Sequence, residues 1–348
     1  MKGAFAAGAL KVLAEQDLQV TRIVAASSGA VSAALYASYV RRGVERAGAA
    51  ELVELWTERA GVCDVFSLDI PSLLRLEGVF SLSKIRELWL RSRIMASEIP
   101  APRPISLRLV VAPLRGLDSR QRDAIAQADD RDSRPLTTNR TTYEYVCDFT
   151  QDDYNTVERR DRLVNAALAS AAFPFVLVPV EVADPRLKMH LGPCIDGGVV
   201  NDAPIKWAMG GTVGDQLDAI LVIAPSPALA ARPADVRGAR LFEQLASILV
   251  NERMNRDLRE AERVNSQIAA LDALRQQGLS EEHLAKVKDA LGWTGRKQIG
   301  IVEIRPRAPL DGNPYAAFFS KERRKQYIKI GEDCAWATFQ NTEHRWLF

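Results

Sequence analysis

The run Ala25-Ala26-Ser27-Ser28-Gly29-Ala30 limits what this chain can fold into more than any other stretch. It lies between an apolar, β-rich segment, Val20 to Ala26, and a helical one, Gly29 to Arg41. The second is alanine-rich and carries Val31, Leu35 and Tyr39 at i, i+4 spacing. A strand passing into a helix through small residues makes a sharp turn. A serine at its tip is exposed where the next N–H can bind an oxyanion, which is how a hydrolase presents a nucleophile. The spacing is that of G-x-S-x-G, with Ala25 in place of the first glycine. A plainer reading competes with it: Ser27 or Ser28 caps the helix that Gly29 and Ala30 begin. On this segment alone the cap is the simpler account.

A second segment changes that balance. In Cys194-Ile195-Asp196-Gly197-Gly198-Val199, an aspartate ends a short apolar stretch and two glycines follow. The glycines give a tight turn that lets another backbone approach closely. Taken alone, Asp-Gly is an ordinary turn dipeptide. A serine nucleophile, however, needs a base within hydrogen-bond reach. The chain has only three histidines, His190, His283 and His344. A serine activated directly by a carboxylate needs none of them.

Together and in this order, Ser27 and Asp196 with their flanking residues resemble the patatin-like phospholipases. That family pairs an elbow serine near the N-terminus with a downstream D-G-G or D-G-A aspartate. Further stretches are similar to the family. Lys2 to Leu13 looks like its first helix, and Ala166 to Pro174 looks like its A-S-x-A-x-P helix end. Gly78 to Ser81 and Ile85 to Leu88 resemble a recurrent stretch after the second helix. Phe319-Ser320, with Gly331 and Ala335, resembles the C-terminal helix. The resemblance implies a serine lipid acyl hydrolase of phospholipase A or esterase type, working through an acyl-enzyme, with Ser27 as nucleophile and Asp196 as base. It implies an oxyanion site from the Ser28 N–H and the glycine loop around Gly3, with Lys2 in the loop's basic position. Ala25, Gly29, Gly197 and Gly198 support the two motifs. No cofactor and no metal is implied. The substrate is a phospholipid or other acyl-ester lipid, and a peripheral membrane surface is a candidate partner.

One departure stands out. The family's loop reads G-G-G-x-[RK]-G at the end of its first strand, and Met1-Lys2-Gly3 fits only the last three positions. The expectation is a start upstream of Met1, and poor activity for the chain as given until a strand and glycine loop are restored. Two alternatives remain. One is a Ser-Asp-His triad, Ser27, Asp196 and then His283 or His344. His283, however, sits among Glu281, Glu282 and Lys286, and His344 in a charged tail, as surface histidines do. The other is a non-catalytic lipid- or partner-binding protein, which the missing loop supports.

Composition fits these readings. Of 348 residues, 47% are hydrophobic and 26% charged, as in soluble globular proteins. The net charge of +2 suggests no nucleic-acid partner. The widely spaced Cys63, Cys147, Cys194 and Cys334 form no C-x-x-C and suit a reducing compartment. No run reaches the ~18 apolar residues of a membrane span, and Lys11, Glu15 and Asp17 interrupt the N-terminus, so no signal peptide is read. A cytoplasmic protein, peripherally associated with membrane at most, is expected; its oligomeric state is left open.

Strands alternate with helices, which predicts an α/β fold with a mostly parallel central sheet flanked by helices in a patatin-like three-layer arrangement. Strands are expected at Val20–Ala26, Ile105–Ala112, Tyr143–Phe149, Asp218–Ala224 and Ile299–Ile304, and Val176 to Val182 runs up to a turn at Asp184-Pro185. Residues 1–348 read as one domain, with a helical cap-like segment around 45–100 and a helical segment around 239–292. Within the first, Val65 to Ile94 mixes leucines, phenylalanines and Trp89 with Arg75, Lys84, Arg86, Arg91 and Arg93. It reads either as a lipid-facing cap or, more simply, as a helical layer over the sheet. The polar stretch Gly116 to Thr142, centred on Asp129 to Asp132, reads as a solvated loop without a metal.

Overall fold

The structure, a computed structural model, describes residues 3–16, 18–75, 78–94, 103–118, 120–121, 142–184, 189–209, 217–227, 239–278, 280–291, 297–310 and 316–341. Lys2, Asp129 to Asp132 and His344 lie outside the described residues.

Helix α1 (Gly3–Leu13) leads to strand β1 (Arg22–Ala25), helix α2 (Ser28–Val40) and helix α3 (Glu45–Glu58). Short strands β2 (Ser67–Leu68) and β3 (Phe80–Ser81) form an antiparallel ribbon of their own, and alternation sets the faces of the long strand β4 (Ser106–Pro113). Leu107, Leu109 and Val111 join the main core with α2 and with helix α4 (Val157–Ala171). Arg108 instead donates from Nη1 to the Trp207 carbonyl at 2.7 Å, on the short helix α5 (Ile205–Met209). Helices therefore cover both faces of the sheet.

β4 organises that sheet. One edge pairs antiparallel with β5 (Tyr145–Phe149) from Leu107 to Val111. The other edge is shared by two strands in succession. β1 runs parallel along it from Ser106 to Leu109. Strand β7 (Met189–Asp196) then takes over antiparallel from Val111 to Pro113. Strand β6 (Val180–Asp184) pairs antiparallel with β7. A separate parallel pair joins β8 (Ala219–Ile223) and β9 (Gly300–Ile304). The mixed α/β class expected from the sequence is observed, a central sheet flanked by helices. Its parallel pairs are β1–β4 and β8–β9, and β5, β6 and β7 enter as antiparallel returns.

The β8–β9 pair is held between two helical layers. Ile220 and Val222 pack with Met254, Leu258 and Ala261 of the long helix α6 (Ala239–Gln276). Ile304 packs with Phe5, Ala9 and Val12 of α1 and Ala335 of helix α8 (Lys321–Gln340). Between these, helix α7 (Glu281–Ala290) starts at the Ser280 cap, whose hydroxyl accepts from the His283 N–H. None of the described helices is long and apolar enough to cross a membrane.

The Val65 to Ile94 segment divides in two. Ile85, Trp89, Leu90 and Ile94 are buried, and Trp89 meets Trp56 of α3 edge to face at 5.3 Å between ring centroids. This half is a packing layer, built on a π-helical stretch, Ile85–Arg91. Leu68, Ile70 and Leu74 point outward instead.

Glycines let α1 and α8 cross backbone to backbone. A Cβ on Gly8 would overlap the Ile328 carbonyl, and one on Gly331 would overlap that of Phe5. Overpacking of this kind costs about 1–3 kcal/mol. Gly331→Ala should lower the thermal midpoint by several degrees in circular-dichroism melts, and an unchanged midpoint would show that the helices do not touch there.

Candidate active site

The hand-over on the β4 edge brings Ser27 and Asp196 together. β1 leaves β4 at Ala25, opposite Leu109, and two residues later the chain reaches Ser27. β7 meets β4 at Val111 with Asp196, so the two side chains converge at the gap between the strands. Ser27 Oγ donates to Asp196 Oδ2 at 2.7 Å.

Ser27 holds φ 56° and ψ −141°, a conformation that a non-glycine residue rarely adopts. Such strain costs about 1–3 kcal/mol and persists only where the surroundings impose it. One restraint is explicit: the Ser27 N–H donates to the buried Ser170 Oγ at 3.0 Å, at the end of α4. The sequence left a cap or a nucleophile open. Ser27 stands at the N-cap position, yet its side chain caps nothing. Its hydroxyl faces the carboxylate instead. Ser28 begins α2, and among the described residues nothing accepts from its N–H. That donor lies at the positive end of a helix dipole.

Four glycines show the steric demands behind the motifs. A Cβ on Gly197 would overlap the Val110 carbonyl, so only glycine passes β4 there. A Cβ on Gly198 would lie 2.9 Å from Asp202 Oδ1 and 3.0 Å from Asp196 Oδ1. At Gly29 the nearest atom would be the Ala25 methyl at 4.0 Å, an ordinary contact, so the elbow accommodates alanine in the first glycine position. Gly3 is buried against the ring of Trp56, and a Cβ there would overlap it. This packing explains the glycine whether or not its backbone also serves an oxyanion.

Asp196 is buried, and loss of water pushes its carboxyl up to about 7. The neighbouring charge of Asp202 pushes the same way. Hydrogen bonds from the Ser27 hydroxyl and from the Gly198 N–H, which reaches Oδ1 at 2.7 Å, hold it down. A carboxylate poised near neutrality is suited to accept a proton.

Neither of the described histidines, His190 and His283, is hydrogen-bonded to Ser27 or Asp196. His190 is exposed on β7, and His283 Nδ1 contacts Ser280 Oγ at 2.6 Å on the exposed start of α7. Two residues given no role by the sequence reading take part in the site's support. Ser170 lay inside the helix-end resemblance, where a serine among alanines was its only signal. Glu144, just before β5, accepts from Asn201 Nδ2 and Trp207 Nε1, each at 2.8 Å, and from Arg253 Nη2 at 2.9 Å. It thereby ties the loop beyond Asp196 to α5 and α6. Its donors come from distant segments, so no local pattern marks it.

A hydroxyl on a strained strand-to-helix turn is thus hydrogen-bonded to a buried carboxylate at the edge of a helix-flanked sheet. The family model for patatin-like phospholipase matches residues 1–209, and the chain belongs to that family. The family is one of lipid acyl hydrolases. Comparison with curated proteins gives no match.

Two expectations test this geometry. Activity should fall as pH drops through about 7, because protonated Asp196 cannot act as a base. Its folded value lies above the unfolded 3.8, so the folded state binds more protons between these values. The stability contributed by this group therefore declines as pH rises from about 4 to 7, and Asp196→Asn should flatten that part of a midpoint-against-pH curve. Ser170→Ala should leave the Ser27 N–H without its acceptor, costing about 1–3 kcal/mol, and should lower kcat more than it changes KM. A Ser170→Ala enzyme with wild-type kcat would remove this restraint from the site.

Proposed function

We propose that this protein is a serine lipid acyl hydrolase of phospholipase A or esterase type that works with a Ser27–Asp196 dyad. The observation that carries the proposal is the 2.7 Å hydrogen bond from the strained, half-buried Ser27 to the buried Asp196. Asp196 takes the Ser27 proton as Oγ attacks the ester carbonyl. The Ser28 N–H, at the start of α2, faces the developing oxyanion, and one such donor is worth about 2.7–4 kcal/mol. The alcohol or lysolipid leaves as it accepts the proton from Asp196. Water then attacks the acyl-enzyme with Asp196 again as base, releasing the fatty acid. The route requires no metal or organic cofactor. The substrates are acyl-ester lipids met at a peripheral membrane surface, and residues 1–348 act as one domain.

Ser27→Ala should lower hydrolysis of short p-nitrophenyl esters by about 10⁴-fold or more and abolish labelling by a fluorophosphonate. Continued labelling would move the role to another serine. Asp196→Asn should be equally inactive with an unchanged circular-dichroism spectrum. Alanine at His190, His283 and His344 together should leave most activity, whereas a large loss would restore the triad. A wild-type chain that neither hydrolyses esters nor takes the label would be a binding protein.

A further inference from the structure

The five most exposed large apolar side chains among the described residues are Leu74 (80%), Phe175 (78%), Phe319 (78%), Leu68 (60%) and Ile70 (58%). They come from three separate stretches of sequence, and the backbone gathers them. Leu68 pairs with Phe80 in a two-stranded ribbon. Phe80 N–H donates to the Val176 carbonyl, beside Phe175, at 3.0 Å. Phe66, two residues before Leu68, stacks on Phe80 at 5.5 Å and on Phe318, next to Phe319, at 4.8 Å between centroids. Ile70 and Leu74 open and close the short helical turn that follows Leu68.

Phe175 is held out at a cost. Pro174 and Phe175 occupy the centre of a turn that the Val176 N–H closes onto the Phe173 carbonyl at 3.4 Å. Phe175 has φ 67°, at a position where such a turn favours glycine. A bulky side chain with positive φ is a true outlier, and the described residues leave this ring largely uncovered. The strained turn also adjoins the site: the Ala172 carbonyl, three residues earlier, accepts from the Asp196 N–H at 2.9 Å. Val199, in the turn that Asp196 begins, is exposed as well. Arg75 is exposed directly after Leu74 and has no ion pair among the described residues.

We propose that this rim, Leu68, Ile70, Leu74, Phe175 and Phe319, docks the protein on a lipid bilayer, with Arg75 facing the headgroups. The inference rests on the hydrolase reading for its purpose, and it replaces the buried Ile85 to Ile94 half of the segment as the lipid-facing element. Apolar tips projecting from a turn, a helical turn and a helix end suit insertion among acyl chains better than a flat protein partner. Their position beside Asp196 brings the site to the lipid.

Flotation with phosphatidylcholine–phosphatidylglycerol vesicles tests it. The wild-type chain and Ser27→Ala should bind equally, which separates docking from chemistry. Phe175→Gly should bind about tenfold more weakly, the expected loss for withholding one aromatic side chain from lipid. Glycine also relieves the strained φ, so its thermal midpoint should stay level or rise. Phe319→Ala, whose backbone is unstrained, should weaken binding to a similar degree. Wild-type binding by both variants, or no binding by the wild type, would overturn the proposal. So would a concentration-dependent dimer in gel filtration that Phe175→Gly abolishes, because a second copy would then cover the rim. An inactive Ser27→Ala that still floats leaves the docking intact whatever the fate of the dyad, and an active Ser27→Ala removes the dyad without touching the docking result.

Discussion

One edge of β4 carries two strands in turn, and the site exists because of that sharing. β1 runs parallel up to Leu109, β7 returns antiparallel from Val111, and the break between them holds Ser27 and Asp196. Ser27 arrives just past the C-terminal end of one strand and Asp196 at the C-terminal end of another running the opposite way. Neither strand alone could place both groups. Gly197 is the physical condition for the meeting, since any side chain there would collide with the Val110 carbonyl.

The local energetics are consistent with a site assembled against its own preferences. Ser27 is strained, Asp196 is buried and pushed towards protonation, and the two compensate through one short hydrogen bond. The compensation reaches further through the surrounding donors and acceptors. Ser170 holds the elbow's N–H, the Gly198 N–H holds the second carboxylate oxygen, and Glu144 anchors the loop beyond. Buried polar groups are tolerated where they find partners, and these bonds fix the orientation of the two side chains.

Around this centre the apolar side chains fall into two populations. Trp89, Leu90 and Ile94 fill the core beside α2 and α3, whereas Leu74, Phe175 and Phe319 remain in water. The segment from Val65 to Ile94 contains both kinds. Its composition was compatible with either role, because a leucine in a packing layer and a leucine at a lipid-facing turn are the same letter in the sequence.

The sequence by itself picked out the elements and the Ser27 and Asp196 segments. The helices and most strands follow from apolar periodicity; the expected strand at Val20–Ala26 contains β1, and that at Ile105–Ala112 covers β4 except for its last residue, Pro113. Ser27 and Asp196 stood out because each sits among small residues that a tight turn demands, a constraint local enough to be written in a few letters. Tertiary structure decided what depends on segments far apart in the chain. The length of β7 was hidden, since Met189 to Cys194 carries no alternation that announces a strand. Whether the Ser27 side chain caps α2 or turns to another group rested on where its hydroxyl points, which only the approach of a residue 169 positions away could fix. Glu144, Ser170 and the exposed rim around Phe175 belong to the same kind, because a polar partner or a missing cover is a property of neighbours in space.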